Sequence, residues 1–237
     1  MSTGAANPNV SNAGPSAPVR PIFFGDYAAA DEGSYYTASN LLVTTGTAIA
    51  TTTQILGCTS PALVVYNQNP VGGYNIYLRT VKMRLVTVNT GSTTIEHVGV
   101  LASNIANVTT TGTLITNGPV SVNSNSGTAS KAIIYVGVNV ANAPTAIPGS
   151  RIAHTGPVTG IIPIALDQWV FSYGDVGTPG SFNAIIGTTG GVVSVPLPPI
   201  IIAPQWYYTL GFWGASTSTS APTIRWDIGY IERPSGQ

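Results

Sequence analysis

Formal charge is what this chain has least of. Only 16 of its 237 residues are charged, eight Lys or Arg and eight Asp or Glu, and the net charge is zero. An ordinary domain of this length would carry about 59 charged residues, close to 25%; here the share is 7%. A compact monomer of this mass exposes on the order of 10,000 Å², which leaves roughly one charge per 600 Å². Nucleic-acid binders neutralise phosphates with Lys and Arg, and eight scattered cations without net positive charge exclude that class. Disorder over most of the chain is excluded too, because 43% of residues are hydrophobic and nothing repels them.

Cysteine is almost absent. Cys58 stands alone, so no intrachain disulfide can form and the fold must hold by burial. Free cysteine usually packs as a small hydrophobe, and that is the expectation for Cys58. A long apolar run is missing as well. The most apolar stretch, residues 192–203, contains Pro196, Pro198 and Pro199 and is followed by Pro204, which excludes a spanning helix. The N-terminus, MSTGAANPNVSNAGPSAPVR, lacks the basic and apolar regions of a secretory signal.

What is present is Ser, Thr, Asn, 27 Gly and 18 Pro, interleaved with β-branched residues. Residues 1–22 are expected to form a flexible N-terminal arm that frays or orders on a neighbouring subunit. Residues 23–36 hold Asp26, Asp31 and Glu32 and the one plausible helical turn. Beyond residue 41 the pattern is strands and turns. Strands are expected at 47–56, 62–67, 74–88, 94–103, 114–122, 132–140, 160–166, 169–173, 192–197, 205–213 and 223–232. Asn89-Thr90-Gly91-Ser92 reads as a hairpin connection. In the last strand Ile224, Trp226, Ile228 and Tyr230 share one face while Arg225, Asp227 and Gly229 share the other. Likewise Val81, Met83 and Leu85 oppose Lys82 and Arg84. No window keeps a helical period over three turns. The expectation is an all-β chain: residues 23–237 fold as one antiparallel β-sandwich, preferably a jelly roll, with an open barrel as the alternative.

Chemistry is sparse. His97 and His154 are too few for a familiar metal site. Glu96 and His97 are adjacent on an expected strand, so their side chains point to opposite faces. His154 lies in a Gly/Pro-rich stretch read as a loop, and a pairing with Asp167 and one of many hydroxyls arises by chance; no G-x-S-x-G elbow accompanies it. Asp167, Asp175, Asp227 and Glu232 are the acids of the second half, and Asp227 beside Arg225 reads as an ion pair. Residues 187–191, Gly-Thr-Thr-Gly-Gly, form a turn signal without a following helix to bind phosphate. No catalytic residue, cofactor or metal ligand is assigned, and the chain is expected not to be an enzyme. Arg79, Lys82 and Arg84 form the one basic cluster. They read either as a solvated strand face or as a contact to an acidic patch, such as the Asp26, Asp31 and Glu32 segment of a neighbour. Arg20, the one charge of the arm, joins these as a candidate subunit contact. Trp169, Trp206, Trp213 and Trp226, with Tyr207, Tyr208 and Tyr230, are candidates for a core, a subunit interface or a sugar-stacking surface.

A polar arm, a Thr/Val/Gly-rich series of about ten strands, the run VPLPPIIIAPQWYYTLGFW and the closing TIRWDIGYIERP together form a pattern. It resembles bacteriophage and viral virion structural proteins with jelly-roll-like domains, especially head decoration or cement proteins. The resemblance implies a homo-oligomer, typically a trimer, on the capsid surface among other capsid subunits, without nucleic acid or membrane as partner. It assigns no individual residue. Low charge fits this, since charged surface is what keeps monomers apart. The alternative is a receptor- or carbohydrate-binding β-sandwich of a tail tip or adhesin head, with a glycan as partner.

Overall fold

The computed structural model describes residues 25–40, 47–48, 61–87, 94–103, 113–115, 119–137, 149–158, 166–174, 192–215 and 223–235. The expected arm at 1–22 and Cys58 lie outside them. The described chain begins with one short helix, α1 (Gly25–Asp31), followed by β1 (Tyr35–Ser39), β2 (Thr47–Ala48), β3 (Leu63–Asn67), β4 (Tyr74–Thr87) and β5 (Thr94–Ser103). Then come β6 (Thr113–Leu114), β7 (Val120–Ser121), β8 (Ala132–Val136), β9 (Arg151–Val158) and β10 (Gln168–Tyr173). The last four are β11 (Val192–Leu197), β12 (Ile200–Ile202), β13 (Trp206–Ala215) and β14 (Thr223–Pro234).

These strands form two sheets packed as a sandwich. Sheet A runs β11-β10-β4-β14-β1-β7, with β12 also on β4 and β2 also on β14. Sheet B runs β6-β8-β3-β13-β5-β9. Every pairing is antiparallel except β10 with β11. The sheets share no strand pairing among the described residues, so the sandwich stands and the open barrel does not.

The core follows from the alternation of side chains along each strand. Val81, Met83 and Leu85 of β4 and Ile224, Trp226, Ile228 and Tyr230 of β14 are buried, as their parity predicts. Sheet B answers with Leu63, Val65, Ile134, Val136, Tyr208 and Leu210. Two polar contacts cross the core. The Tyr173 and Tyr208 hydroxyls meet at 2.8 Å, and His97 of β5 packs edge-on against Phe171 of β10 at 5.2 Å. Sheet B is apolar on its far side as well. All five residues of β3 are buried, and Val64, Tyr66, Ala102 and Tyr207 form a second cluster there, with Ile133 and Tyr135 packed against it.

Several sequence expectations change. Residues 89–92 lie outside the described set, but the strands on either side of them do not pair: β4 belongs to sheet A and β5 to sheet B. A turn signal marks a chain reversal and does not say which strands then pair. The expected strand 114–122 becomes β6 and β7 in opposite sheets, with residues 116–118 between them outside the described set. The stretch around His154, read as a loop, is β9. Its Pro157 is tolerated because β9 closes the sheet and pairs only with β5. The strand expected at 160–166 lies outside the described residues except for Leu166, which sits in a turn at φ 80°. Of 47–56, only β2 is described. β1 and β12 were not expected: β1 is brief and half polar, and β12 is three residues between prolines.

Candidate interaction surface

The outer face of sheet A gathers most of the chain's charge. On this face strands β4 and β14 carry Arg79, Lys82, Arg84, Arg225, Asp227 and Arg233, and α1 with its following turn adds Asp26, Asp31 and Glu32.

Local chemistry places the helix. Ala28, Ala29 and Ala30 favour it, and Asp26 lies in the first turn, where the helix dipole favours an acid. It ends at Gly33, whose φ of 72° is left-handed. Ser34 N–H bonds to the Ala29 carbonyl at 2.9 Å and Gly33 N–H to the Ala30 carbonyl at 3.0 Å, the paired bonds of a Schellman cap. A Cβ at Gly33 would also stand 2.4 Å from Ser126 Oγ.

Three strands dock this helix on the sheet. Arg79 of β4 pairs with Asp26 at 2.8 Å, and its second nitrogen donates to the same carboxylate at 3.2 Å. Tyr35 of β1 reaches across β14 to hydrogen-bond Thr80 of β4. Burial, and then the nearby Asp26 charge, raise the Tyr35 hydroxyl's pKa. That crossing requires glycine at 229, since a Cβ there would stand 2.7 Å from both Thr80 Oγ1 and Tyr35 Oη. Glu32 lies 3.8 Å from Arg233, both substantially exposed, so that pair contributes little.

Beyond the Gly229 row the face continues as a shelf. Ser39, Asp227, Lys82 and Val170 stand side by side in one register row. Arg225, Arg84 and Gln168 form the next. Lys82 and Arg84 are exposed, and neither has an ion-pair partner among the described residues. Arg84 stands directly across from Arg225, an arrangement of like charges that disfavours pairing.

The sequence-derived cluster of Arg79, Lys82 and Arg84 is therefore split. A register shift between Gly229 and Tyr230 skips Arg79, which turns to the helix, while Lys82 and Arg84 face the shelf. Asp26 is engaged within its own chain; Asp31 and Glu32 are exposed. Arg20 lies outside the described residues, as does Asp175. Arg225 was missed as a member of the basic group. Its outward parity was readable, but its neighbour on β4 was not.

The remaining candidates disperse. His97 is buried, and burial lowers its pKa to about 4, so it stays neutral at pH 7. His154 stands on β9 of sheet B opposite Gly99, while Asp167 is buried beside β10 of sheet A. Glu232 is buried, and burial raises its pKa. It accepts hydrogen bonds from the Ser130 hydroxyl and from Lys131 N–H at 3.1 Å, while Ser130 also meets the Tyr230 hydroxyl at 2.7 Å. This network ties the β7–β8 connection to β14. Trp169, Trp226, Tyr207, Tyr208 and Tyr230 are buried and offer no stacking surface. Trp206 is partly buried, with the Arg151 guanidinium 5.4 Å from its ring centre. The Trp213 side chain is outside the described set. Among the described residues no three His, Cys, Asp or Glu converge as a metal site, and no helix is long and apolar enough to cross a membrane.

Compared with known proteins, no family model, no curated protein and no solved structure matches the chain.

Proposed function

We propose that this chain is a virion structural protein, a jelly-roll subunit that forms or clamps an icosahedral shell through subunit contacts and performs no catalysis. Strand order is the observation that carries this reading. Taken in sequence, β1, β3, β4, β5, β9, β10, β13 and β14 fall into two antiparallel groups of four, β10-β4-β14-β1 and β3-β13-β5-β9. That interleaving is what two successive Greek keys produce, the wiring of the eight-stranded jelly roll used by capsid domains. Low charge supports the same reading, because a surface designed to be covered has little need of it. In this proposal the subunits assemble as a homotrimer on the capsid surface, alongside other capsid proteins.

The jelly roll also serves lectins. The carbohydrate-binding alternative needs an exposed aromatic groove, and the described tryptophans and tyrosines of the last third are mostly buried. The deciding experiment is electron microscopy of the purified full chain, with mass measured by light scattering. Closed shells, or symmetric oligomers that dock on a shell, are expected. A monomer at all concentrations would overturn the proposal, and a monomer that binds on a glycan array would establish the alternative.

A further inference from the structure

The outer face of sheet A is polarised along its strands. Acids sit at one end: Asp31 and Glu32, both exposed, close the helix where β1 begins and β14 ends. Bases predominate at the other: Lys82 and Arg84, both exposed, and Arg225 outnumber Asp227, which stands across from Lys82. Between them lies the Tyr35–Gly229–Thr80 crossing, and α1 covers the face on the acidic side only. The face therefore carries a raised half in which Asp26, Asp31 and Glu32 outnumber Arg79 and Arg233, and a flat half in which Lys82, Arg84 and Arg225 outnumber Asp227.

Such a surface is self-complementary under a two-fold axis parallel to the sheet and perpendicular to its strands, because half a turn about that axis turns the second copy face to face with the first and lays each half over the other's opposite half. The dimensions agree. The shelf from Gly229 to Arg225 spans four residues, about 13 Å at strand rise. A helix of seven residues is about 10 Å long. The bases are only partly answered among the described residues, since Asp227 stands across from Lys82 alone. Lys82 and Arg84 have no ion pair among the described residues, and Arg84 faces a second arginine. The uncovered half thus asks for acid, and the exposed acids nearest at hand are those of another copy's helix end.

We propose that two copies of this chain pack through the outer faces of sheet A, with the Asp31–Glu32 end of α1 from each copy seated over Lys82 and Arg84 of the other. This deepens the subunit-contact reading and rests on it. The contact is isologous, so each residue pair occurs twice and every charge change acts twice.

The test uses charge swaps in the full chain. Lys82→Glu with Arg84→Glu reverses the shelf, and Asp31→Lys with Glu32→Lys reverses the helix end. All four positions are exposed and Arg84→Glu places an acid beside Arg225, so folding should survive; circular dichroism and urea unfolding check this. Each double variant should weaken association at least about 10-fold, read by sedimentation across a concentration series, the size of one or two lost charge contacts. The quadruple variant restores opposite charges across the interface and should recover association to near the wild-type level. If either double variant misfolds, Lys82→Gln with Arg84→Gln substitutes for it and should weaken association while flattening its salt dependence. Wild-type protein that assembles while the double variants associate equally well would overturn this contact alone. So would a quadruple variant no better than the product of the doubles. Wild-type protein that never associates would overturn the contact and the virion reading together.

Discussion

The two outer faces of the sandwich differ in kind. On sheet A the outward positions of β4 and β14 include Arg79, Lys82, Arg84, Arg225, Asp227 and Arg233, and the helix laid over them, with its following turn, adds Asp26, Asp31 and Glu32. On sheet B the centre of the outer face holds Val64, Tyr66, Ala102 and Tyr207, all buried, with Leu114 and Ile152 exposed towards its edges, and Glu96 and Arg151 are the only charges on its described strands. Both sheets face the same core, so burial on the inner side does not explain the contrast. It follows that the chain's few charges are not spread thinly over a sphere. Most of those on the described residues gather on one face, where Lys82 and Arg84 are exposed, while the centre of the opposite face is buried apolar surface. A transferred apolar side chain on sheet B is stabilised by its loss of water contact, and a charge there would forfeit its hydration without a partner.

The largest break in this comparison should come from exchanging the two chemistries. Val64→Asp places an unpaired carboxylate on the closed face and should cost about 4 kcal/mol or more, or prevent folding. Lys82→Gln on the open face should leave unfolding free energy within about 0.5 kcal/mol of wild type. Urea titration at low protein concentration measures both, and similar losses would dissolve the distinction between the faces.

Next in size is a pH effect from the layer between the sheets. His97 is held neutral, with a pKa of about 4 against the ordinary 6.5. Its depressed value means that the unfolded chain takes up the proton first. Stability is therefore full above pH 6.5 and falls as pH drops towards 4, by about 3 kcal/mol in total. His97→Leu should flatten the stability profile across that window.

A smaller loss is expected at the crossing that seats the helix. Gly229→Ala forces a methyl against Thr80 and Tyr35 and should cost about 1–3 kcal/mol through crowding. Thr80→Ser combined with Gly229→Ala should not relieve it, since the hydroxyl oxygen that collides is retained. The last effect is one of sign. The Glu232 pKa is raised above its ordinary 4.5, chiefly by burial. The folded chain thus holds that proton more tightly, and this contribution is full below pH 4.5 and lost as pH rises through the folded value. Glu232→Gln should remove the decline in a melting series, and a steeper decline would contradict the assignment.

Much of this was legible in the amino-acid order. The all-β class, the buried parity of Ile224, Trp226, Ile228 and Tyr230, and the outward parity of Lys82 and Arg84 follow from period-two alternation, a property of local backbone geometry. The helical turn near Asp26 was readable from composition. Sheet membership was not. Nothing local to residues 89–92 says that β4 and β5 part to opposite sheets, and nothing near Arg79 announces the register shift that separates it from Lys82.

The candidate surface shows the same divide. Its acids and bases are visible as two short clusters far apart in sequence, and the idea that they attract each other needs only their signs. The pairing of Asp26 with Arg79 inside one chain, the placement of Arg225 beside Arg84, and the apolar closure of sheet B's far side required the fold. Hydrophobic alternation sets which way a residue faces; contacts between residues some fifty to two hundred positions apart are set by which strands pair, and that is decided by the cooperative burial of both sheets at once. By itself the sequence determined that this protein is a nearly uncharged β-sandwich whose strands have one face for the core. Only the tertiary structure decided that most of its described charge gathers on a single face, because only pairing of β4 with β14 and docking of α1 bring those residues to one side.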